Sequence, residues 1–278
     1  MKYEVRYAHH PEDFKQYDTR KIRQEFLFAN IMEPGNINLV YSHYDRFIVG
    51  GAVPLKGGLE LETIDPLRAE FFLERREIGI INVGGKGQVD VDGDVIDMEK
   101  KEGLYIGRGN KKVIFKSVDS ADPAHFYLNS ATAHKTFPVK KVGLADAEVA
   151  ELGSLESSNA RKINKLLVNG VIETCQVQMG ITDLQTGSVW NTMPPHVHSR
   201  RMEAYFYFDL PKDQVICHFL GEPDETRHIW LKNEEAVISG PWSIHSAAGT
   251  FNYSFIWGMA GENLDYGDMD WANPADLQ

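Results

Sequence analysis

The sequence has little cysteine and no surplus of positive charge. Only two cysteines, Cys175 and Cys217, occur among 278 residues, both in apolar segments typical of strands. Nothing requires a disulfide, and we expect buried free thiols in a reducing compartment. Asp and Glu number 40 against 29 Lys and Arg, which gives a net charge of −11. So acidic a chain is a poor partner for nucleic acid or an anionic membrane surface, and we expect neither.

Long apolar runs are also missing. The first residues contain no apolar stretch with a small-residue cleavage site, and no window approaches the length of a transmembrane helix. We therefore expect a cytoplasmic protein. Hydrophobic residues make up 42% of the chain, which is enough to bury a core in one large domain or two smaller ones.

Short alternating segments separated by turns fill most of the chain. The clearest is VDVDGDVID (89–97), in which an Asp-Gly turn of type I′ joins two alternating runs. A short helix is predicted to be capped by Thr19. Strands of this length and spacing predict an all-β protein of antiparallel sandwiches or barrels, with a few short helices.

A polar segment at 144–165 interrupts the strand pattern and predicts a linker. On either side of it the order strand, turn, strand, Gly-flanked turn, strand recurs. An internal duplication would explain this recurrence, with chance similarity of β-rich segments as the alternative. Duplication predicts two domains, residues 1–150 and 151–278, with Glu77 as the counterpart of Glu203. The first half has no His-x-His, so we expect its domain to lack a metal site.

Two histidines and a glutamate stand together in PPHVHSRRMEAYFYF (194–208). On an extended chain His196 and His198 point to the same face, and Glu203 opens the next apolar strand. His245, after the Gly-Pro turn of GPWSIH, is the best candidate for a fourth ligand. Three imidazoles and one carboxylate suit zinc, and also manganese, iron, nickel or copper. For the His pair alone, polar residues without a metal are the alternative.

HVHSRRME followed by GPWSIH resembles the two motifs of the cupins, and longer stretches resemble one family among them. These stretches include SHYDRFIVGG, SVWNTMPPHVHSRRMEAYFYF and SIHSAAGTFNYSFIWGMAGEN. They are similar to the 4-deoxy-L-threo-5-hexosulose-uronate ketol-isomerases, also called 5-keto-4-deoxyuronate isomerases, over nearly the whole chain. The resemblance implies two tandem, duplicated cupin-like antiparallel β-barrels. It also implies one zinc ion per chain in the C-terminal barrel, bound by His196, His198, Glu203 and His245.

The same resemblance implies a reaction. The family converts 5-dehydro-4-deoxy-D-glucuronate to 3-deoxy-D-glycero-2,5-hexodiulosonate in the degradation of pectin and related uronates, and its members form homo-oligomers, hexamers among them. Such an aldose–ketose isomerisation suits a metal site, because a Lewis acid stabilises the enediolate that forms when a base removes the proton next to the carbonyl. Another metal-dependent cupin enzyme, such as a dioxygenase, and a non-catalytic sugar-acid-binding cupin are the alternatives.

Three tyrosines are candidates for catalytic proton transfer. Tyr205 and Tyr207 share the alternation of Glu203, and Tyr253 lies on the strand after His245. Core packing is the alternative for each of them. The sequence does not identify the base itself.

Two arginines are candidates for binding the carboxylate of the substrate. Arg200 and Arg201 adjoin the metal motif, and a guanidinium fork suits a carboxylate. An exposed pair with salt-bridge partners is the alternative. Trp190 and Trp242 are candidates for walls of the pocket, with core packing or a subunit contact as the alternative.

Overall fold

The computed structural model describes residues 1–278, and its regular structure is mostly strand. The first twelve strands are β1 (Lys2–Arg6), β2 (Leu27–Phe28), β3 (Ile37–Ser42), β4 (Ile48–Ala52), β5 (Leu59–Glu60), β6 (Arg76–Asn82), β7 (Gly87–Val91), β8 (Asp94–Met98), β9 (Gly103–Ile106), β10 (Val113–Ser117), β11 (Phe126–Thr132) and β12 (Lys140–Val142). The other twelve are β13 (Glu148–Leu152), β14 (Arg161–Leu167), β15 (Gln178–Leu184), β16 (Trp190–Asn191), β17 (His196–Val197), β18 (Arg201–Phe208), β19 (Ile216–Glu222), β20 (Glu225–Leu231), β21 (Glu235–Ser239), β22 (Ser246–Gly249), β23 (Ser254–Gly261) and β24 (Asp270–Trp271).

Helices are few and short, as the sequence predicts. They are α1 (Pro11–Phe14) and α2 (Thr19–Phe26), with single 3₁₀ turns at Asp65–Leu67 and Pro274–Asp276. Neither helix has the length and apolarity that crossing a membrane would require. The predicted all-β class is confirmed.

Two compact units divide the chain between them. The first consists of residues 1–6, 30–148 and 165–179, and the second of residues 7–29, 149–164 and 180–278. Each unit is thus assembled from separate stretches of sequence. Division of the chain into two domains at residue 150 stays a prediction.

The first unit contains a seven-stranded and a four-stranded sheet. The strand orders are β1-β3-β4-β11-β6-β9-β12 and β5-β10-β7-β8. Apolar residues from both sheets form one buried cluster that includes Ile80, Val89, Phe115 and Leu128. Pairing is antiparallel except between β1 and β3, which run parallel. The core therefore lies between the two sheets.

The second unit repeats this arrangement except at one edge of its larger sheet. Its sheets have the orders β13-β14-β15-β23-β18-β21-β2 and β16-β22-β19-β20, and β17 pairs with β24 in a small separate sheet. At that edge β2 precedes the other strands of its sheet in the chain, whereas β12 follows those of its own sheet. The other strands have the same order in both units, which is what an internal duplication would produce. The sheets of both units are open, with no closed barrel among them, so the tandem barrels stay a prediction.

Strand register corrects one expectation about the repeat. In the second unit, Glu203 of β18 pairs with Ser239, the last residue of β21. In the first unit, Ile78 of β6 pairs with Ile106, the last residue of β9. Ile78 is part of the buried cluster of the first unit, and Glu77 points to the other face of the sheet. The counterpart of Glu203 is therefore Ile78. Alternation by two makes a one-residue error in alignment move a side chain to the opposite face.

Three local predictions meet different outcomes. The hairpin at 89–97 is confirmed, because β7 and β8 pair around Asp92 and Gly93, both with positive φ. The N-cap of α2 is Asp18, not Thr19, since the carboxylate of Asp18 accepts the backbone N–H of Lys21 at 2.8 Å. The segment 144–165 is not only a linker but contains β13, an edge strand. Its residues are largely exposed, so they lack the apolar alternation that marks a strand.

Both cysteines are free. Cys175 is buried, as predicted, whereas Cys217 is only half-buried. Its neighbour His218 is fully buried. The two side chains thus point to opposite faces of β19, as alternation predicts.

Candidate metal centre

Local backbone conformation brings the first two histidines together. His196 lies on β17, and its register partner on β24 is Trp271. His196 and His198 are both buried, while Val197 between them is half-buried. The predicted common face therefore exists, and the two Nε2 atoms are 3.1 Å apart.

The two larger sheets of the second unit supply the other two side chains. Glu203 is the third residue of β18, an interior strand of the seven-stranded sheet, and His245 immediately precedes β22 of the four-stranded sheet. Glu203 Oε2 is 3.1 Å from Nε2 of His198 and 3.1 Å from Nε2 of His245. His245 Nε2 is in turn 3.0 Å from Nε2 of His196.

These four ligand atoms converge on one point. All lie within 4.8 Å of one another, and all four residues are buried. Atoms spaced in this way lie about 2 Å from a common centre, which is the length of a bond from zinc to imidazole or carboxylate. The donor set and its spacing therefore fit a first-row metal ion, and the predicted fourth residue, His245, belongs to the cluster.

Burial and neighbouring charges set the protonation of the cluster. Burial, together with His245, lowers the pKa of His196 to about 2. Burial alone would raise the pKa of Glu203, but His245 and His198 outweigh it and hold that pKa well below its ordinary value. A neutral imidazole and an ionised carboxylate are the forms that bind metals.

Two of the three imidazoles are oriented by backbone carbonyls. His198 Nδ1 donates to the carbonyl oxygen of Asp268 at 2.6 Å, and His245 Nδ1 donates to that of Ser243 at 3.3 Å. A carbonyl oxygen can only accept, so Nδ1 of each imidazole carries a proton and Nε2 is the nitrogen that faces the cluster. His196 Nδ1 is buried and has no partner.

The three candidate tyrosines make different contacts. The Tyr205 ring centroid is 5.3 Å from that of His245, and its hydroxyl is 2.8 Å from Oγ1 of Thr192. The hydroxyl of Tyr207 instead lies 2.7 Å from Nδ1 of His218. Tyr253 donates to the carbonyl oxygen of Val189 at 3.1 Å.

Burial raises the pKa of all three phenols, in the case of Tyr205 with help from the Glu203 charge. Each is therefore protonated near neutral pH and can donate a proton or a hydrogen bond. Tyr205 is the tyrosine for which a contact with a cluster residue is present.

The two candidate arginines contact the C-terminal segment. Arg200 is exposed and pairs with the carboxylate of Asp268. Arg201 is buried and donates to the carbonyl oxygens of Asp265 and Tyr266. Binding of a substrate carboxylate by either arginine stays a prediction.

A tryptophan outside the predicted set lies beside the cluster. Trp190 stacks on Phe219, and Trp242 donates to the carbonyl oxygen of His9. The ring centroid of Trp271 is 5.0 Å from that of His196. Sequence reasoning missed Trp271 because the surrounding segment is acidic and rich in Asn, Asp and Gly, which reads as a loop.

His218 was also missed as a member of this region. Its ring lies edge-on to that of Tyr205, at a centroid distance of 5.8 Å, and its Nε2 is buried without a partner. Alternation along β19 could have placed it inside. Its burial also depends on the pairing of β19 with β22, where the register partner of His218 is Ala247.

The sequence profile of the KduI/IolB family matches residues 32–273. The chain belongs to the KduI/IolB family. A 4-deoxy-L-threo-5-hexosulose-uronate ketol-isomerase from Formosa agariphila is 61% identical to this chain over 277 residues, which are 100% of this chain and 99% of the relative. The predicted family is thereby confirmed, as is the enzyme class, an aldose–ketose isomerase.

Solved structures share the fold of this KduI/IolB chain at low identity. An IolB-like protein from Salmonella typhimurium LT2 has a TM-score of 0.73 at 15% identity, covering 89% of this chain and 96% of that one. The oxalate decarboxylase of Bacillus subtilis, described with Mn(II) centres, has a TM-score of 0.55 at 9% identity, covering 81% and 71%. Both likenesses show the fold alone.

Proposed function

We propose that this chain is a zinc-dependent ketol-isomerase that converts 5-dehydro-4-deoxy-D-glucuronate to 3-deoxy-D-glycero-2,5-hexodiulosonate during the degradation of pectin and related uronates. The observation that carries the proposal is a buried cluster of three histidines and one glutamate, in a chain 61% identical from end to end to an isomerase of that name. Assembly into a hexamer and a cytoplasmic location stay predictions.

The metal would be held by His196, His198, Glu203 and His245. Two features of these residues support the assignment. Their ligand atoms converge, and the N–H groups of two imidazoles are taken up by carbonyl oxygens on the far side. When bound, a zinc ion would polarise the oxygens of the reacting carbons as a Lewis acid.

Isomerisation moves one proton between adjacent carbons and one between their oxygens. The carbon next to the aldehyde loses a proton, the aldehyde carbon gains one, and the hydroxyl proton passes to the former aldehyde oxygen. Tyr205 is the favoured residue for transfer at the oxygens, because its protonated phenol lies beside His245. Tyr207 and Tyr253 are less favoured, because their hydroxyls engage His218 and the carbonyl of Val189.

The domain assignment belongs to the same proposal. We assign residues 1–150 to an N-terminal cupin-like barrel without a metal site and residues 151–278 to the metal-binding barrel. Support comes from the strand order that the two units share apart from one edge strand, and from Ile78, which stands where the second unit has Glu203. An aliphatic side chain cannot bind a metal.

One assay tests the function. The zinc-loaded protein is supplied with 5-dehydro-4-deoxy-D-glucuronate, and conversion is followed by NMR before chelation, after chelation and after zinc is restored. We expect turnover that chelation abolishes and zinc restores, without uptake of oxygen. Absence of turnover by the loaded protein would refute the isomerase, and oxygen uptake would instead favour a dioxygenase.

A further inference from the structure

The segment after β23 lies along the metal motif. We call residues 262–278 the strap. Within it, β24 pairs antiparallel with β17, so that Trp271 stands opposite His196 and Asp270 opposite Val197. The backbone N–H of Ala272 also donates to the carbonyl oxygen of Pro195 at 2.9 Å.

Two side chains that follow His198 hold the strap. Arg200 Nε donates to Oδ2 of Asp268 at 3.0 Å, and its NH2 group donates to Oδ1, so the guanidinium grips the carboxylate as a fork. Asn263 donates to Oδ2 of the same carboxylate at 2.8 Å. Arg201 bonds the carbonyl oxygens of Asp265 and Tyr266 from the buried side.

The strap also makes a hydrogen bond to a histidine of the metal cluster. The backbone carbonyl of Asp268 accepts the proton of His198 Nδ1 at 2.6 Å. Asp268 therefore orients this imidazole through its backbone carbonyl, and Arg200 binds the side chain of the same residue. Asp268 is only 11% exposed at its side chain, whereas Arg200 is 53% exposed.

We propose that the strap is a positioning element of the metal site: Arg200 holds Asp268, and the carbonyl of Asp268 holds His198 in the orientation and tautomer that bind the metal. Arg200 is then a positioning residue, not a ligand for substrate. Hydrogen bonds of this kind to the outer nitrogen of a metal-bound imidazole affect metal affinity by about 10- to 100-fold. The inference rests on the metal site of the proposed function.

The test measures zinc release, not turnover. Zinc-loaded wild type, Arg200→Met, Asp268→Asn and the double variant are mixed with a chromogenic chelator, and the release rate is followed. We expect each single variant to release zinc about 10-fold faster than wild type. The double variant should match the faster single variant, because both changes remove the same interaction. Arg200→Lys, which keeps the charge but loses the fork, should fall between Arg200→Met and wild type.

A second readout separates positioning from general stability. The cobalt(II)-substituted protein absorbs visible light in a way that depends on ligand geometry, and we expect Arg200→Met to change that spectrum. Since Arg200 lies at the surface, its substitution should leave the fold intact. Glu99→Gln is the matched control, because it breaks the exposed ion pair of Lys86 and Glu99 in the first unit and should change neither readout.

The outcomes are distinguishable. Unchanged release rates and cobalt spectra in Arg200→Met and Asp268→Asn would overturn the role of the strap, even if the variants were less stable, and would leave the isomerase standing. Faster release from the variants, with a wild type that fails to turn over the keto acid, would sustain the strap and refute the isomerase. A wild type that binds no metal would overturn both.

Discussion

The carboxylate of Glu77 lies 2.7 Å from the backbone nitrogen of Val177, one of three consecutive N–H groups that donate to it. The others belong to Cys175 and Gln176, at 2.7 and 2.6 Å, and the hydroxyl of Tyr105 adds a fourth donor at 2.7 Å. Glu77 is fully buried. Four donors around one carboxylate make it a structural anchor of the first unit, since such a charge is stable in the interior only when its oxygens are fully bonded.

We predict that Glu77→Gln lowers the free energy of unfolding by about 3 kcal/mol, because the amide nitrogen faces donors and leaves them unsatisfied. Tyr105→Phe, which removes one donor, should cost about 1 kcal/mol. Chemical denaturation measures both. Zinc content should stay that of wild type, and a variant that loses zinc while keeping its stability would contradict the assignment of Glu77 to structure.

His245→Ala should abolish stoichiometric zinc binding, because it removes one of four converging ligand atoms and leaves a gap beside Glu203. Elemental analysis of the purified variant measures the loss. His228→Ala is the control, since His228 is an exposed histidine of the same unit and should keep one zinc per chain. Full occupancy in His245→Ala would show that His245 is not a ligand.

Tyr205→Phe should lower kcat by about 100-fold or more while zinc is retained, if its phenol transfers a proton. Tyr253→Phe should have a smaller effect, because that hydroxyl is engaged by the carbonyl of Val189. Steady-state kinetics on the keto acid compare the two. Equal kcat values for Tyr205→Phe and wild type would remove Tyr205 from the mechanism.

His218 makes the free energy of unfolding depend on pH. Burial, with His245, lowers the pKa of His218 to about 3. Between its ordinary pKa of 6.5 and this value, the unfolded chain holds a proton that the folded chain does not, so stability is lost as the pH falls. Each such histidine contributes a slope of about 1.4 kcal/mol per pH unit.

We predict that His218→Asn reduces this slope in the metal-free protein by about 1.4 kcal/mol per pH unit, because the titrating imidazole is gone. The Asn side chain can still accept from Tyr207. Denaturation at several values between about pH 4.5 and 5.5 measures the slope. His196 titrates in the same direction but is present in both proteins, so identical slopes would mean that His218 is not buried as a neutral imidazole.

Much of the site could be predicted because it follows from local rules. Alternation by two places His196 and His198 on one face, and the Gly-Pro turn before His245 marks where that strand begins. The contact between His198 and Asp268 could not be predicted, because it joins residues 70 positions apart through a backbone carbonyl, which any residue possesses. The sequence therefore left two roles open for Arg200, substrate binding and a salt bridge, and could not name Asp268 as the partner in that salt bridge.

The sequence alignment of the two halves was wrong at Glu77, and the reason is geometric. Matching RRE to RRME aligns Glu77 with Glu203, but strand pairing shows Ile78 in that place. Sequence similarity tolerates a shift of one residue, whereas the two faces of a strand do not. Only the hydrogen-bonded register decides which alignment is right.

The polypeptide enters the second unit three times, at residues 7, 149 and 180, and this matters for any attempt to produce the two halves of the chain separately. A fragment beginning at residue 151 carries all four cluster residues but lacks β2, which covers the edge of β21. It also lacks α1 and α2, which contribute the buried side chains of Phe14, Ile22 and Phe26. Such a fragment would expose an unpaired strand edge and invite aggregation. Residues 7–29 belong to the second unit, so a peptide of these residues supplied in trans should restore the missing strand and helices. The second unit is therefore better produced as two complementary fragments than as residues 151–278 alone.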